Sequence, residues 1–224
     1  MQMACEITVT EQQLTQELEY DFTPILHYDI RYPQFEGEGC EKGLEKINAF
    51  YSQRAQRLAL YACKDLFAAA ADQYDYDQEN GFPVMPYELV ANYTVTLNNG
   101  CTLSLYWDQY IFTGGAHGNT TRYGHSWDVK AGCALTLQDF FPRNFDYKID
   151  LTEQIIGQIA EQIAAGNDIY FDDYEENVIA EFNPQNFYLT PEGLVIFYQQ
   201  YAIAPYSSGI MEFTIPYYPC ALPR

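Results

Sequence analysis

Basic side chains are scarce in this sequence. Only 11 lysines and arginines stand against 31 aspartates and glutamates in 224 residues, a formal net charge of −20. That balance repels nucleic acid and anionic lipid, and it fits either plain solubility or a strongly basic protein partner. Long apolar runs are missing as well. No stretch approaches the roughly 20 residues that a transmembrane helix requires, and Met1 to Thr10 has neither the basic start nor the apolar core of a signal peptide. As written, nothing exports or anchors the chain, and a cytoplasmic location stays open.

The six cysteines, Cys5, Cys40, Cys63, Cys101, Cys133 and Cys220, are scattered without a C-x-x-C pair, which argues against a zinc ribbon or a thioredoxin-like centre. Their even number leaves two readings open: one or two bridges in an exported protein, or buried free thiols. Histidine is rarer still. His117 and His125 are separated by eight residues, and His125 and Asp128 fall on opposite faces of a strand. With His27 they make a poor ligand set, and no metal is expected.

Asp172-Asp173-Tyr174-Glu175-Glu176 clusters carboxylates without the calcium-loop pattern and reads as a helix start, its acids set against the positive end of the dipole. There is no G-x-S-x-G elbow, H-E-x-x-H pair, phosphate loop or catalytic cysteine pattern. The weight moves from catalysis to binding, with no enzyme activity and no cofactor expected.

What is present is apolar and aromatic: 48% hydrophobic and 17% aromatic residues describe a folded globule, one domain or two small intertwined ones. Glu6 to Thr10 and Leu18 to Tyr32 are strand-like, the second broken at Pro24. Leu44, Ile47, Tyr51, Ala55, Leu58, Ala62, Leu66 and Ala69 then recur three or four apart. They predict one helix from Glu41 to about Ala71, roughly 45 Å long, with Arg54, Arg57 and Lys64 on its solvated face. Asp72 to Asn80 is an acidic, tyrosine-bearing segment, closed by the connector Gly81-Phe82-Pro83.

Tyr87 to Leu97, Cys101 to Phe112, Thr121 to Val129 and Cys133 to Leu137 read as four strands of an antiparallel meander, with turns at Asn98-Asn99-Gly100 and Lys130-Ala131-Gly132. An amphipathic helix at Leu151 to Ile163, a short one at Tyr174 to Glu181, a hairpin of Phe187 to Leu189 with Leu194 to Gln200, and a strand at Glu212 to Tyr217 complete the chain. The fold class is α+β: an antiparallel sheet packed by the long N-terminal helix and by the later one, with the helix stripe against Leu103, Leu105 and Leu137. A boundary near residue 85 separates residues 1–85 from 86–224, with one core shared between them.

Two stretches stand out as binding candidates. Gly114-Gly115-Ala116-His117-Gly118-Asn119 joins two of the strands, and its three glycines permit positive φ and close approach of a partner to the backbone. Pro205-Tyr206-Ser207 holds an aromatic ring on a constrained turn, either an interface anchor or a packed corner.

These stretches also carry a resemblance. Gly-Gly-Ala-His-Gly-Asn, then Trp127-Asp128-Val129-Lys130-Ala131-Gly132, Leu135-Thr136-Leu137-Gln138-Asp139-Phe140-Phe141 and, far downstream, Tyr201-Ala202-Ile203-Ala204-Pro205-Tyr206-Ser207-Ser208-Gly209 resemble the ectodomain of the anti-sigma factor RsiV and the C-terminal halves of PdaC-like bacterial envelope proteins. Residues 1–85 match those families in layout only. The resemblance implies an extracytoplasmic binding module of the cell envelope, and RsiV is a receptor for lysozyme, a basic protein suited to an acidic surface. The sigma-binding and membrane-spanning segments of RsiV have no counterpart here. The alternatives are a peptidoglycan glycan-binding accessory domain, using some of the 21 tyrosines as stacking platforms, and a hydrolase using His117.

Overall fold

The computed structural model describes residues 6–167 and 169–217; Cys5 and Cys220 lie outside them. The fold is mixed α+β, with two sheets. An antiparallel hairpin of β1 (Thr8–Tyr20) and β2 (Thr23–Glu36) opens the chain. A continuous helical segment follows, made of α1 (Glu41–Tyr61), a π-helical turn (Ala62–Leu66) and α2 (Phe67–Asn80). Because that segment carries the chain back across the sheet, β3 (Tyr87–Asn98) pairs with β2 in parallel. β4 (Thr102–Phe112), β5 (Asn119–Asp128) and β6 (Cys133–Ala134) continue as the expected antiparallel meander, and the strand order is β1-β2-β3-β4-β5-β6. After α3 (Tyr147–Ala164) and α4 (Tyr174–Ala180), β7 (Phe187–Leu189), β8 (Gly193–Tyr198) and β9 (Met211–Pro216) form a three-stranded antiparallel sheet. Glu175 and Glu176 occupy the first turn of α4, as the carboxylate cluster predicted.

Three sequence expectations are corrected. The segment Leu18 to Tyr32 is not one strand: it turns at Asp21-Phe22, both at positive φ (47° and 61°), and Pro24 sits at a bulge opposite Glu19. The acidic segment from Asp72 to Asn80 is helical, so α1 through α2 runs about 60 Å at 1.5 Å per residue. The strand expected at Cys133 to Leu137 is only two residues long, and Leu137 begins a 3-10 turn, Leu137–Phe140.

Ile47, Tyr51, Ala55 and Ala62 are completely buried on the helical segment, and they pack with Leu26, Ile30, Leu89, Leu103, Leu105 and Trp107 of the large sheet. Each such aliphatic side chain contributes about 1.5–3 kcal/mol by leaving water. Leu103 and Leu105 thus lie where the pattern put them. Leu137 does not: it belongs to a second cluster with Leu151, Ile155 and Ile159 of α3 and the inward residues of β7–β9. The opposite face of the large sheet receives the small sheet through Tyr188, Val195 and Phe197, with Tyr106 against them. That approach is close. A Cβ on Gly124 would lie 1.8 Å from the Phe187 carbonyl oxygen, so only glycine fits at this crossing.

Candidate functional site

The two binding candidates meet. The His117 ring stacks on the Tyr206 ring at 3.8 Å between centroids and 17° between planes. Tyr206 Oη donates to the Gly118 carbonyl at 2.8 Å, and His117 Nδ1 lies 3.0 Å from the same oxygen. A carbonyl only accepts, so this contact places a ring proton on Nδ1. Gly118 is buried, and a Cβ there would come within 2.5 Å of both the Ile111 carbonyl oxygen and the Tyr110 ring. That glycine fixes the loop against its own hairpin and presents its carbonyl to Tyr206.

Not every predicted residue joins the stack. Gly114 and Gly115, at φ of 89° and 85°, turn toward the end of α2 and border a cleft of about 300 Å³ with Gln73, Asp77, Phe82 and Met85. Ala116, Asn119, Pro205 and Ser207 are exposed around the rings. Tyr201, which the sequence reading left out of the site, extends the platform: it is 53% exposed and its ring lies 5.5 Å from that of Tyr206.

What holds the downstream turn in place was also missed. Gln199 acts like a short strand, its Oε1 accepting from the Arg122 amide at 3.0 Å and its Nε2 donating to the Arg122 carbonyl at 2.7 Å. Gln200 Oε1 accepts from the Thr120 amide at 2.8 Å. Side-chain amides therefore satisfy the free edge of β5 where no strand continues. Arg122 itself forks onto Asp108 through two 2.7 Å bonds, reaches Glu212, and lies 3.7 Å over the Tyr106 ring. Removing one partner of this half-buried network would leave a costly charge, so it ties β4, β5 and β9 together beneath the platform.

The other histidine is in a different environment. His125 lies under α1 between Phe50 and Tyr51, and burial, with the Arg54 charge adding to it, pushes its pKa down to about 3. Among the described residues no group of three or more His, Cys, Asp or Glu side chains could hold a metal ion, and no helix is long and apolar enough to cross a membrane.

Comparison with known proteins places this geometry. A family profile described as "Deacetylase PdaC" matches residues 21–120, and one described as a protein of unknown function, DUF3298, matches residues 138–218. The chain is similar to both families over these two segments. A curated relative is the peptidoglycan-N-acetylmuramic acid deacetylase PdaC of Bacillus subtilis strain 168, 24% identical over 121 residues; the match takes in 54% of this chain but only 22% of that protein. Two solved structures share the fold. A DUF3298 family member from Bacteroides fragilis NCTC 9343 has a TM-score of 0.67 at 22% identity, covering 96% of this chain and 91% of its own. A DUF3298 protein of Pseudomonas aeruginosa PAO1 has a TM-score of 0.62 at 18% identity, covering 94% and 91%.

Proposed function

We propose that this chain is a non-catalytic, extracytoplasmic binding module of the bacterial cell envelope that takes a cationic muramidase such as lysozyme on the His117–Tyr206 platform. The observation that carries this reading is the stack itself. Two loops 88 residues apart converge on one carbonyl and leave His117 and Tyr201 exposed beside a half-buried Tyr206, the kind of aromatic anchor that dominates binding at interfaces. One carboxylate beside the loop has the right sign: Asp77 borders the cleft with Gly114 and Gly115. At the neighbouring end of α2, Asp75, then Asp21 and Asp72, surround the Tyr20 phenol and hold its pKa up. The resemblance to RsiV supplies the muramidase, and the disulfide-bonded Cys40 fits an oxidising compartment.

The test is a kinetic titration with hen-type lysozyme at low and physiological salt. Tyr206→Ala should speed dissociation about thirtyfold, the equivalent of about 2 kcal/mol. Tyr206→Phe, which loses only the bond to Gly118, should have a smaller effect. Binding that vanishes by physiological salt and ignores both substitutions would be opposite-charge adhesion, and this reading would fall.

A second reading, a peptidoglycan-binding accessory domain, is favoured by the similarity to a protein whose name places it on peptidoglycan. A pull-down with peptidoglycan fragments from the same preparation separates the two.

A further inference from the structure

Arg54 is not on the solvated face that its place in the helix suggested. It is half-buried on α1, its guanidinium 4.0 Å from the centroid of the Tyr123 ring and 5.7 Å from that of Trp107. Among the described residues the arginine ion pairs are Arg31 with Asp29 and Arg122 with Asp108 and Glu212, and none of their carboxylates lies within 4 Å of Arg54. Burial lowers its pKa, and the Tyr123 phenol hydrogen-bonded to the guanidinium offsets only part of that loss of water. Stacking occupies the face of the guanidinium and the Tyr123 phenol takes part of its edge, which leaves further in-plane N–H donors for a carboxylate.

Arg54 and Phe50 border two clefts. One, of about 450 Å³, lies between α1 and the end of β4 and also exposes Arg57, Tyr61 and the Gln53 and Gln109 amides. The other, of about 620 Å³, follows β5 past Tyr123, His125 and Trp127. Both are of a size that holds small ligands.

We infer that the first cleft, between α1 and the end of β4, is a binding site for a carboxylate-bearing saccharide. Arg54 and Arg57 hold the carboxylate, the rings of Phe50 and Tyr61 form apolar walls for the sugar, and the Gln53 and Gln109 amides take its hydroxyls. The net charge of −20 selects against polyanions but admits a ligand with a single carboxylate. The inference draws on the peptidoglycan reading and uses none of the loop platform.

The experiment compares N-acetylmuramic acid with N-acetylglucosamine, the same sugar without the lactyl carboxylate, by calorimetry and saturation-transfer NMR. The acidic sugar should bind about tenfold tighter or better, and Arg54→Gln and Arg57→Gln should each weaken it about tenfold, the scale of one charge-assisted hydrogen bond. Tyr206→Ala should leave it unchanged. Arg57 is exposed, so its variant keeps the fold and decides the matter if Arg54→Gln does not fold. Equal affinity for the two sugars, binding to neither, or indifference to both arginines overturns the inference. Acetate binding as tightly as the acidic sugar would leave an anion site only and also overturn it. Lysozyme binding lost with the sugar site intact would sink the platform reading alone.

Discussion

His125 shows how burial turns one side chain into a pH-dependent element of stability. Its neighbours are the rings of Phe50, Tyr51 and Trp127, with the Arg54 cation adding to the penalty on a second positive charge. The folded pKa is about 3, whereas an unfolded histidine titrates near 6.5. Below pH 6.5 the unfolded chain therefore binds a proton that the folded chain refuses. This group's contribution is intact above pH 6.5 and declines by up to about 1.4 kcal/mol per pH unit as the pH falls toward 3. Urea unfolding of His125→Phe should show a flatter dependence on pH between 6.5 and 5, a window above the ordinary carboxylate range. A slope equal to that of the parent would mean that the imidazolium is tolerated at this position. The strand alternation already separated His125 from Asp128, but its place beneath Phe50 depends on where α1 crosses the sheet, which no local pattern reports. The platform was legible by half. Gly118 and Tyr206 were visible as a turn glycine and a turn aromatic, while their contact and the clamp by Gln199 and Gln200 were not, because side-chain amides that finish a strand edge leave no periodicity.

At the scale of the element, the helical segment was read correctly where its apolar stripe is strong and lost where burial ends. Leu44 to Leu66 recur with helical spacing and all face the sheet. From Asp72 onward only Asp77 is buried, so the remaining turns look like a polar connector although the helix continues to Asn80. The π turn at Ala62–Leu66 adds a further effect. A wider turn delays the inward face by about one residue, so Ala70 is 3% exposed while Ala69, which the 3.6-residue period selected, is exposed. Ala70→Glu should cost several kcal/mol through an unpaired buried carboxylate, whereas Ala69→Glu should stay within about 0.5 kcal/mol of the parent. Urea midpoints of the two variants check this directly, and the opposite ranking would mean that the segment is α-helical throughout. The first hairpin escaped detection for a related reason: Asp21-Phe22 makes a left-handed turn without the glycine or asparagine that usually announces one.

For the molecule as a whole, composition and alternation were enough to identify an α+β fold with a meander, but not the parallel pairing of β3 with β2, since pairing across a 60 Å helical segment depends on contacts distant in sequence. Net charge was legible at once, and its arrangement only from the fold. Asp21, Asp72 and Asp75 gather at Tyr20, at the end of the helical segment whose final turns adjoin Gly114 and Gly115. Glu45 on α1 stands about 40 Å from Asp72 along the helix at 1.5 Å per residue, and Glu36 closes the far end of β2 beside it. A Debye length is only about 8 Å at physiological salt. If the platform takes a cationic protein, the nearby acids should therefore steer the encounter while the distant ones act only through net charge. Asp72→Lys with Asp75→Lys should slow lysozyme association several-fold at low salt and flatten its salt dependence, leaving dissociation unchanged. Glu36→Lys with Glu45→Lys alters the net charge equally and should slow association much less. Stopped-flow association at two ionic strengths distinguishes these outcomes, and equal slowing by the two pairs would show that the acidity is global rather than directed at the loops.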